Sequence, residues 1–127
     1  MIDHMGFPVT HFARSKEFYA RALEPLGFRV VMEVSLSDDG EDGYAGFGDE
    51  RPHFWIGTGK PLAGRLHVAF EAKNRAAVRA FYEAAIAAGG KDNGSPGLRP
   101  HYHENYYGAF VLDPDGHNIE AVNHLPE

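Results

Sequence analysis

With 127 residues, 43% of them hydrophobic, the chain is long enough to fill one core without disulfides and short for two independent domains. It has no cysteine, which excludes thiolate ligands and a cysteine nucleophile, and its net charge of -6 leaves no basic stripe to neutralise phosphates, so nucleic acid is not an expected partner. No stretch approaches the ~18 consecutive apolar residues of a membrane span, and the first residues lack a basic segment followed by an apolar run, so a soluble, cytoplasmic protein is expected.

In chain order, an apolar/polar alternation over residues 2–9 predicts a strand. Phe18, Tyr19, Ala22, Leu23 and Leu26 then recur at three- and four-residue steps, as on one face of a helix, and Gly27 is a suitable stop. Strand-like runs follow from Phe28 to Leu36, Tyr44 to Gly48 and His53 to Gly57. The acidic run Ser37 to Gly43 between the first two lacks the glutamate that closes a calcium loop and is expected to be a solvated hairpin turn. A Gly- and Pro-rich linker, Gly57 to Gly64, ends this half.

The second half repeats the first. His4, Phe18, Tyr19 and Gly27 map onto His67, Phe81, Tyr82 and Gly90 by one shift of 63 residues. A strand is expected over 65–72, and a helix carrying Val78, Phe81, Tyr82, Ala85 and Ile86, with Asn74 as its N-cap and Gly89-Gly90 as its stop. A short strand near Lys91 should follow, then Gly108 to Asp113 and Asn118 to Asn123, joined by the turn Asp113-Pro114-Asp115-Gly116. The expected fold is α+β: one domain over 1–127 made of two βαβββ modules, 1–60 and 64–125, whose uncovered sheet faces enclose a cleft.

Side chains alternate along a strand, so parity sorts the faces. Met5, Phe7 and Val9, then Val68 and Phe70, then Ile119 and Ala121, should cover the helices; His4, His67 and Glu120 are left on the opposite faces. Neutral imidazoles and a carboxylate suit a divalent ion such as Fe(II), Mn(II) or Zn(II), with vacant positions for a substrate oxygen. Each residue taken alone is more readily an ordinary surface or core residue. Two histidines at equivalent positions of a repeat are harder to explain by accident.

At these residues the sequence resembles the vicinal oxygen chelate superfamily, which includes glyoxalase I, the bleomycin-resistance proteins, fosfomycin-resistance enzymes and extradiol dioxygenases. Its most specific pieces are His4 through Phe18-Tyr19, His67-Val68-Ala69-Phe70, and Phe110 through Glu120. The resemblance implies a glyoxalase-like fold, a metal held by His4, His67 and Glu120, and a substrate chelated through adjacent oxygens. It also implies a homodimer, in some members with the site between chains. Where glyoxalase I has a fourth ligand this sequence has Trp55, which cannot ligate, and His53 is displaced by two residues. That departure leans toward an Fe(II) extradiol dioxygenase-like set over a glyoxalase-like lyase; Ni and Co are further options. Trp55 is either core filling or an aromatic wall for the substrate. A different reading is a metal-free small-ligand binding protein of the bleomycin-resistance type.

The stretch Leu98 to Tyr107 is rich in polar aromatic residues and leads into the penultimate strand. His101 and His103, spaced i, i+2, fall on one side if extended. One of them, with Tyr107, would serve acid–base chemistry, and Arg99 or Tyr107 would steady a substrate anion. The alternative is a solvated loop with aromatic anchors. His11, His117 and His124, at turns or near the terminus, are expected on the surface.

Overall fold

The same strand-helix-strand arrangement occurs twice in the computed structural model, which describes residues 1–127. The first module comprises β1 (Met5–Val9), α1 (Phe12–Leu23) with a 3-10 turn (Glu24–Leu26), β2 (Arg29–Ser35), β3 (Gly43–Gly48) and β4 (Pro52–Thr58). The second comprises β5 (His67–Glu71), α2 (Arg75–Ala87), β6 (Lys91–Leu98), β7 (Tyr107–Leu112) and β8 (Asn118–Asn123). Each forms a four-stranded sheet of the same topology, β1-β4-β3-β2 and β5-β8-β7-β6, with the first and last strands parallel. This is the α+β, two-module architecture expected from the repeat.

Both helices form where the apolar spacing places them. Phe12, Phe18, Tyr19, Ala22 and Leu23 of α1 are buried, as are Ala77, Val78, Phe81 and Ala85 of α2. Burying each large side chain of this kind contributes roughly 1.5–3 kcal/mol. The helix-covered faces of the two sheets share one 21-residue core, in which α1 packs on α2 and Phe54 of β4 meets Phe70 of β5 edge to face at 5.2 Å. Asn74 accepts a hydrogen bond from the Ala77 amide at 2.8 Å, the cap expected of it. Asn74→Ala should cost about 1 kcal/mol in a denaturant melt with an unchanged m-value.

β6 spans eight residues instead of the short strand expected near Lys91. Its sequence, with two glycines and a proline, has little intrinsic strand preference, but an edge position tolerates Pro96, and irregular pairing with β7 absorbs the glycines. The acidic run between β2 and β3 is exposed and closed by hydrogen bonds among Ser37, Asp39 and Asp42.

The turn before β8 is built into the core and is not peripheral. Gly116 takes a φ of 86°, and its amide bonds the Asp113 carbonyl at 2.9 Å. The buried Asp113 carboxylate accepts from the amides of Asp115 and His117 and from the Tyr19 hydroxyl of α1. His117 is only 3% exposed, against the surface position expected of it. Its Nδ1 accepts from the Leu66 amide at 2.9 Å, and its ring meets Phe7 of β1 edge-on at 5.1 Å. A neutral imidazole with one satisfied nitrogen is apolar enough to fill the junction between modules. No helix is long and apolar enough to cross a membrane.

Candidate functional site

On the helix-free face of the second sheet, parallel pairing sets His67 beside Asn118 and Ala69 beside Glu120. Ala69 is too small to fill the space between them. His67 Nε2 lies 2.9 Å from Glu120 Oε1. The carboxylate of Glu120 is almost wholly buried, at 1% exposure, while the imidazole stays open to solvent. The other carboxylate oxygen, Oε2, accepts the hydroxyl of Tyr106. Burial first, and then the bond to Glu120, hold the Tyr106 hydroxyl well above its usual pKa, so it remains a donor.

Beyond Tyr106 lies a histidine pair. His103 Nε2 and His124 Nδ1 are 2.6 Å apart, and both rings meet Tyr106 edge-on, at 5.3 and 5.2 Å. On the other flank Arg99 is laid flat. Its guanidinium donates to the carbonyls of Gly97 and Ser95 at 2.8 Å each and sits 5.4 Å above the centre of the Phe110 ring. A Cβ at Gly94 or at Gly97 would come within 3.2 Å of that guanidinium, so the two glycines form its trough. Arg99, Tyr102, Asn93 and Asn118 line a cavity of about 300 Å³ beside the His67–Glu120 pair.

The corresponding face of the first sheet has a different character. His4 Nδ1 lies 2.8 Å from Asp3 Oδ1, and Arg51 donates to Asp3 Oδ2 at 2.7 Å; the His4 contact first, and then Arg51, hold the Asp3 carboxyl at about 2. These residues, with Tyr44, Val34 and Trp55, line a cavity of about 600 Å³. The pairing Gly6 to Trp55 matches Ala69 to Glu120, so Trp55 occupies in the first module the place of Glu120 in the second. Its indole lies over Gly46, where a Cβ would fall 2.9 Å from the ring, and the Tyr44 ring lies over Gly57 in the same way. Trp55 thus lines the cavity and stands outside the hydrophobic core.

The structure joins some of the anticipated residues and separates others. His67 and Glu120 meet, whereas His4 is engaged with Asp3, and no three His, Asp or Glu side chains of the chain lie close enough to hold one ion. His53 stacks on Phe28 and bonds Asp49. His101 packs on Tyr102 at the exposed tip of the loop. Tyr107 lies on the helix side of its sheet, under the guanidinium groups of Arg75 and Arg79, and its neighbour Tyr106 reaches the carboxylate instead. Parity carried back from the buried Ala109 and Val111 places Tyr107 with them and Tyr106 on the face of Glu120.

The donor chemistry fits a metal in part. An imidazole nitrogen and a carboxylate oxygen 2.9 Å apart are spaced as two neighbours on an ion with ligand distances of ~2.0–2.2 Å. Two donors fall short of the three protein ligands that hold an ion while leaving positions open.

Paired βαβββ modules, each a four-stranded sheet with a helix on one face, define a class of small two-module α+β proteins. The chain belongs to the Glyoxalase/Bleomycin resistance protein/Dioxygenase superfamily, whose family model matches residues 1–121. The solved structure of a glyoxalase/bleomycin resistance protein from Albidiferax ferrireducens is 27% identical, with a TM-score of 0.78 and coverage of 97% of this chain and 98% of that one. A glyoxalase/bleomycin resistance protein/dioxygenase family enzyme from Burkholderia phytofirmans shares the fold at 18% identity, with a TM-score of 0.70 and 98% coverage of both chains. A glyoxalase I mutant from Zea mays shares it at 24% identity and a TM-score of 0.68; 95% of this chain is matched, spanning 46% of that one. A comparison with proteins of curated function finds no match.

Proposed function

We propose that the protein is a metal-dependent enzyme acting on a small substrate chelated through vicinal oxygens. Its site would form between two copies of the chain: His67 and Glu120 of one second module, and His4 of the partner's first module. The observation carrying this reading is the buried Glu120 carboxylate, with one oxygen against His67 and the other held by Tyr106. Burying a carboxylate is costly unless a cation or hydrogen bonds compensate it, and the open imidazole beside it is a ready second ligand. A divalent ion bound there would act as a Lewis acid on the substrate oxygens.

Imidazole and carboxylate donors accept Fe(II), Mn, Zn, Ni or Co. Trp55 at the place of a fourth ligand favours the three-ligand, Fe(II), extradiol dioxygenase-like chemistry over a glyoxalase-like lyase. Arg99, held in its glycine trough, would bind an anionic group of the substrate, and Trp55 would face its apolar part. His103 is committed to His124, which leaves His101 as the loop's acid–base group.

Protein purified without tag or chelator should contain near-stoichiometric metal by elemental analysis, and His67→Ala and Glu120→Ala should contain none. Equal metal in all three would refute the reading. A second reading, a metal-free small-ligand binder, draws support from the aromatic lining of the 600 Å³ cavity by Trp55 and Tyr44. It predicts a thermal shift with aromatic ligands and none with metals, whereas the enzyme predicts a metal-dependent rise that His67→Ala and Glu120→Ala remove.

A further inference from the structure

Arg99 carries a positive charge that no acid of the chain neutralises: none of the six ion pairs involves it. Other arginines without an acidic partner, such as Arg14 and Arg65, are exposed and make no side-chain hydrogen bond, whereas Arg99 is half-buried and held by neutral groups: two carbonyls, the Phe110 ring and the glycine trough. The carboxylates nearest in register are engaged elsewhere, Glu120 by His67 and Tyr106, and Asp92 by the Gly94 amide at 2.9 Å. The two carbonyls take one N–H from each terminal nitrogen, so three of the five guanidinium N–H groups remain to be satisfied.

The 300 Å³ cavity beside Arg99 adds donors and no acid. Asn93 Nδ2 donates to Asn118 Oδ1 at 3.1 Å, which ties the two amides together and leaves the Asn118 nitrogen and the second hydrogen of Asn93 for another acceptor. Asn118 is also the strand partner of His67, so a molecule anchored here extends along the face that carries His67 and Glu120.

We propose that this cavity is a carboxylate subsite for a monoanionic small molecule, with Arg99 supplying the charge and Asn93 and Asn118 the neutral donors. It deepens the assignment of Arg99 to the substrate made above and rests on that assignment, but needs no metal. One unneutralised cation among neutral donors balances one negative charge. A carboxylate spreads that charge over two coplanar oxygens that match the planar N–H edge of a guanidinium, while a phosphate dianion would keep a charge that amides cannot offset. Because the trough and the two carbonyls already order the long side chain, little of its freedom is left to lose on binding.

Benzoate serves as the probe, with benzamide as its neutral isostere and inorganic phosphate as the dianion, each titrated into the full-length protein by calorimetry and heteronuclear NMR. Benzoate should bind and shift the side-chain amide signals of Asn93 and Asn118, and benzamide and phosphate should bind roughly 10-fold more weakly or worse. Arg99→Gln should weaken benzoate binding roughly 10- to 100-fold and abolish the preference over benzamide. Gly97→Ala, which keeps the arginine but sets a Cβ 3.2 Å from its Nη1, should weaken benzoate in the same direction, and Arg14→Gln on α1 should bind as the parent does. Equal affinity for benzoate and benzamide, phosphate bound as tightly as benzoate, unchanged binding by Arg99→Gln, or an equal loss in Arg14→Gln overturns the proposal. Loss in His67→Ala with retention in Arg99→Gln would mean that an ion holds the carboxylate, and overturns it too. Should Arg99→Gln fail to fold, unchanged binding by Gly97→Ala decides against it. A parent free of metal that still prefers benzoate overturns the metal reading alone and leaves this subsite standing.

Discussion

His4→Ala and Glu120→Ala proteins, each expected to bind no metal alone, should regain it in about a quarter of their sites when mixed in equal amounts and allowed to exchange subunits. The expectation follows from the arrangement of the two faces. Within one chain His67 and Glu120 touch while His4 is turned to Asp3 and Arg51, and no three such donors converge. If the set is completed across a two-fold axis, a mixed dimer contains one site with both damaged halves and one with both halves intact. Random assortment makes half the dimers mixed, hence the expected recovery. A site completed inside each chain would recover nothing, because every chain lacks one ligand. Metal content that stays at zero, with mixed dimers demonstrated by mass, would therefore exclude a site between subunits.

Asp113→Ala should be the most destabilising change outside the apolar core, at about 3 kcal/mol or more in a denaturant melt. Its carboxylate accepts from the hydroxyl of the fully buried Tyr19 and from two backbone amides, and alanine would leave these donors with no replacement partner. Tyr19→Phe removes one bond and leaves the carboxylate its two amides, so about 1.5 kcal/mol is expected. The two changes share a contact, so their double mutant should cost less than the sum. A pH dependence follows as well. Burial, and next the Asp113 charge, raise the Tyr19 hydroxyl well above its ordinary value. The native state therefore keeps a proton that the unfolded chain releases above about pH 10, and stability falls with rising pH from there. Tyr19→Phe should flatten that alkaline limb; an unchanged slope would show that Tyr19 does not contribute to it.

The repeat was legible without coordinates because it is written in two local codes, the period of strands and the period of helices. The step from His4 to His67 and the buried sets Phe18, Tyr19 and Phe81 follow from them. Parity assigned His67 and Glu120 to one face for the same reason: alternation is a property of the strand alone. The 63-residue shift carries Glu120 onto Gly57, so the place of Trp55 came from the resemblance alone; strand pairing sets Trp55 opposite Gly6 as it sets Glu120 opposite Ala69.

Other features depended on what each residue meets. His117 sits in a turn and reads as polar, yet the junction of the modules supplies an amide for its nitrogen and a phenylalanine for its face. β6 is strand because β7 offers it an edge, and its own composition argues against it. Tyr106 and Tyr107 are adjacent and chemically alike; parity from Ala109 and Val111 sorts their faces, but that the Tyr106 hydroxyl reaches the Glu120 carboxylate is decided by the packing of the loop and of α2. Sequence periodicity thus determined the two modules and the faces that carry imidazole and carboxylate, since both arise from neighbours a few residues apart. Tertiary structure decided which groups meet, uniting His67, Glu120 and Tyr106 and leaving His4 to Asp3, because contact across strands and modules depends on register and packing, which no local pattern encodes.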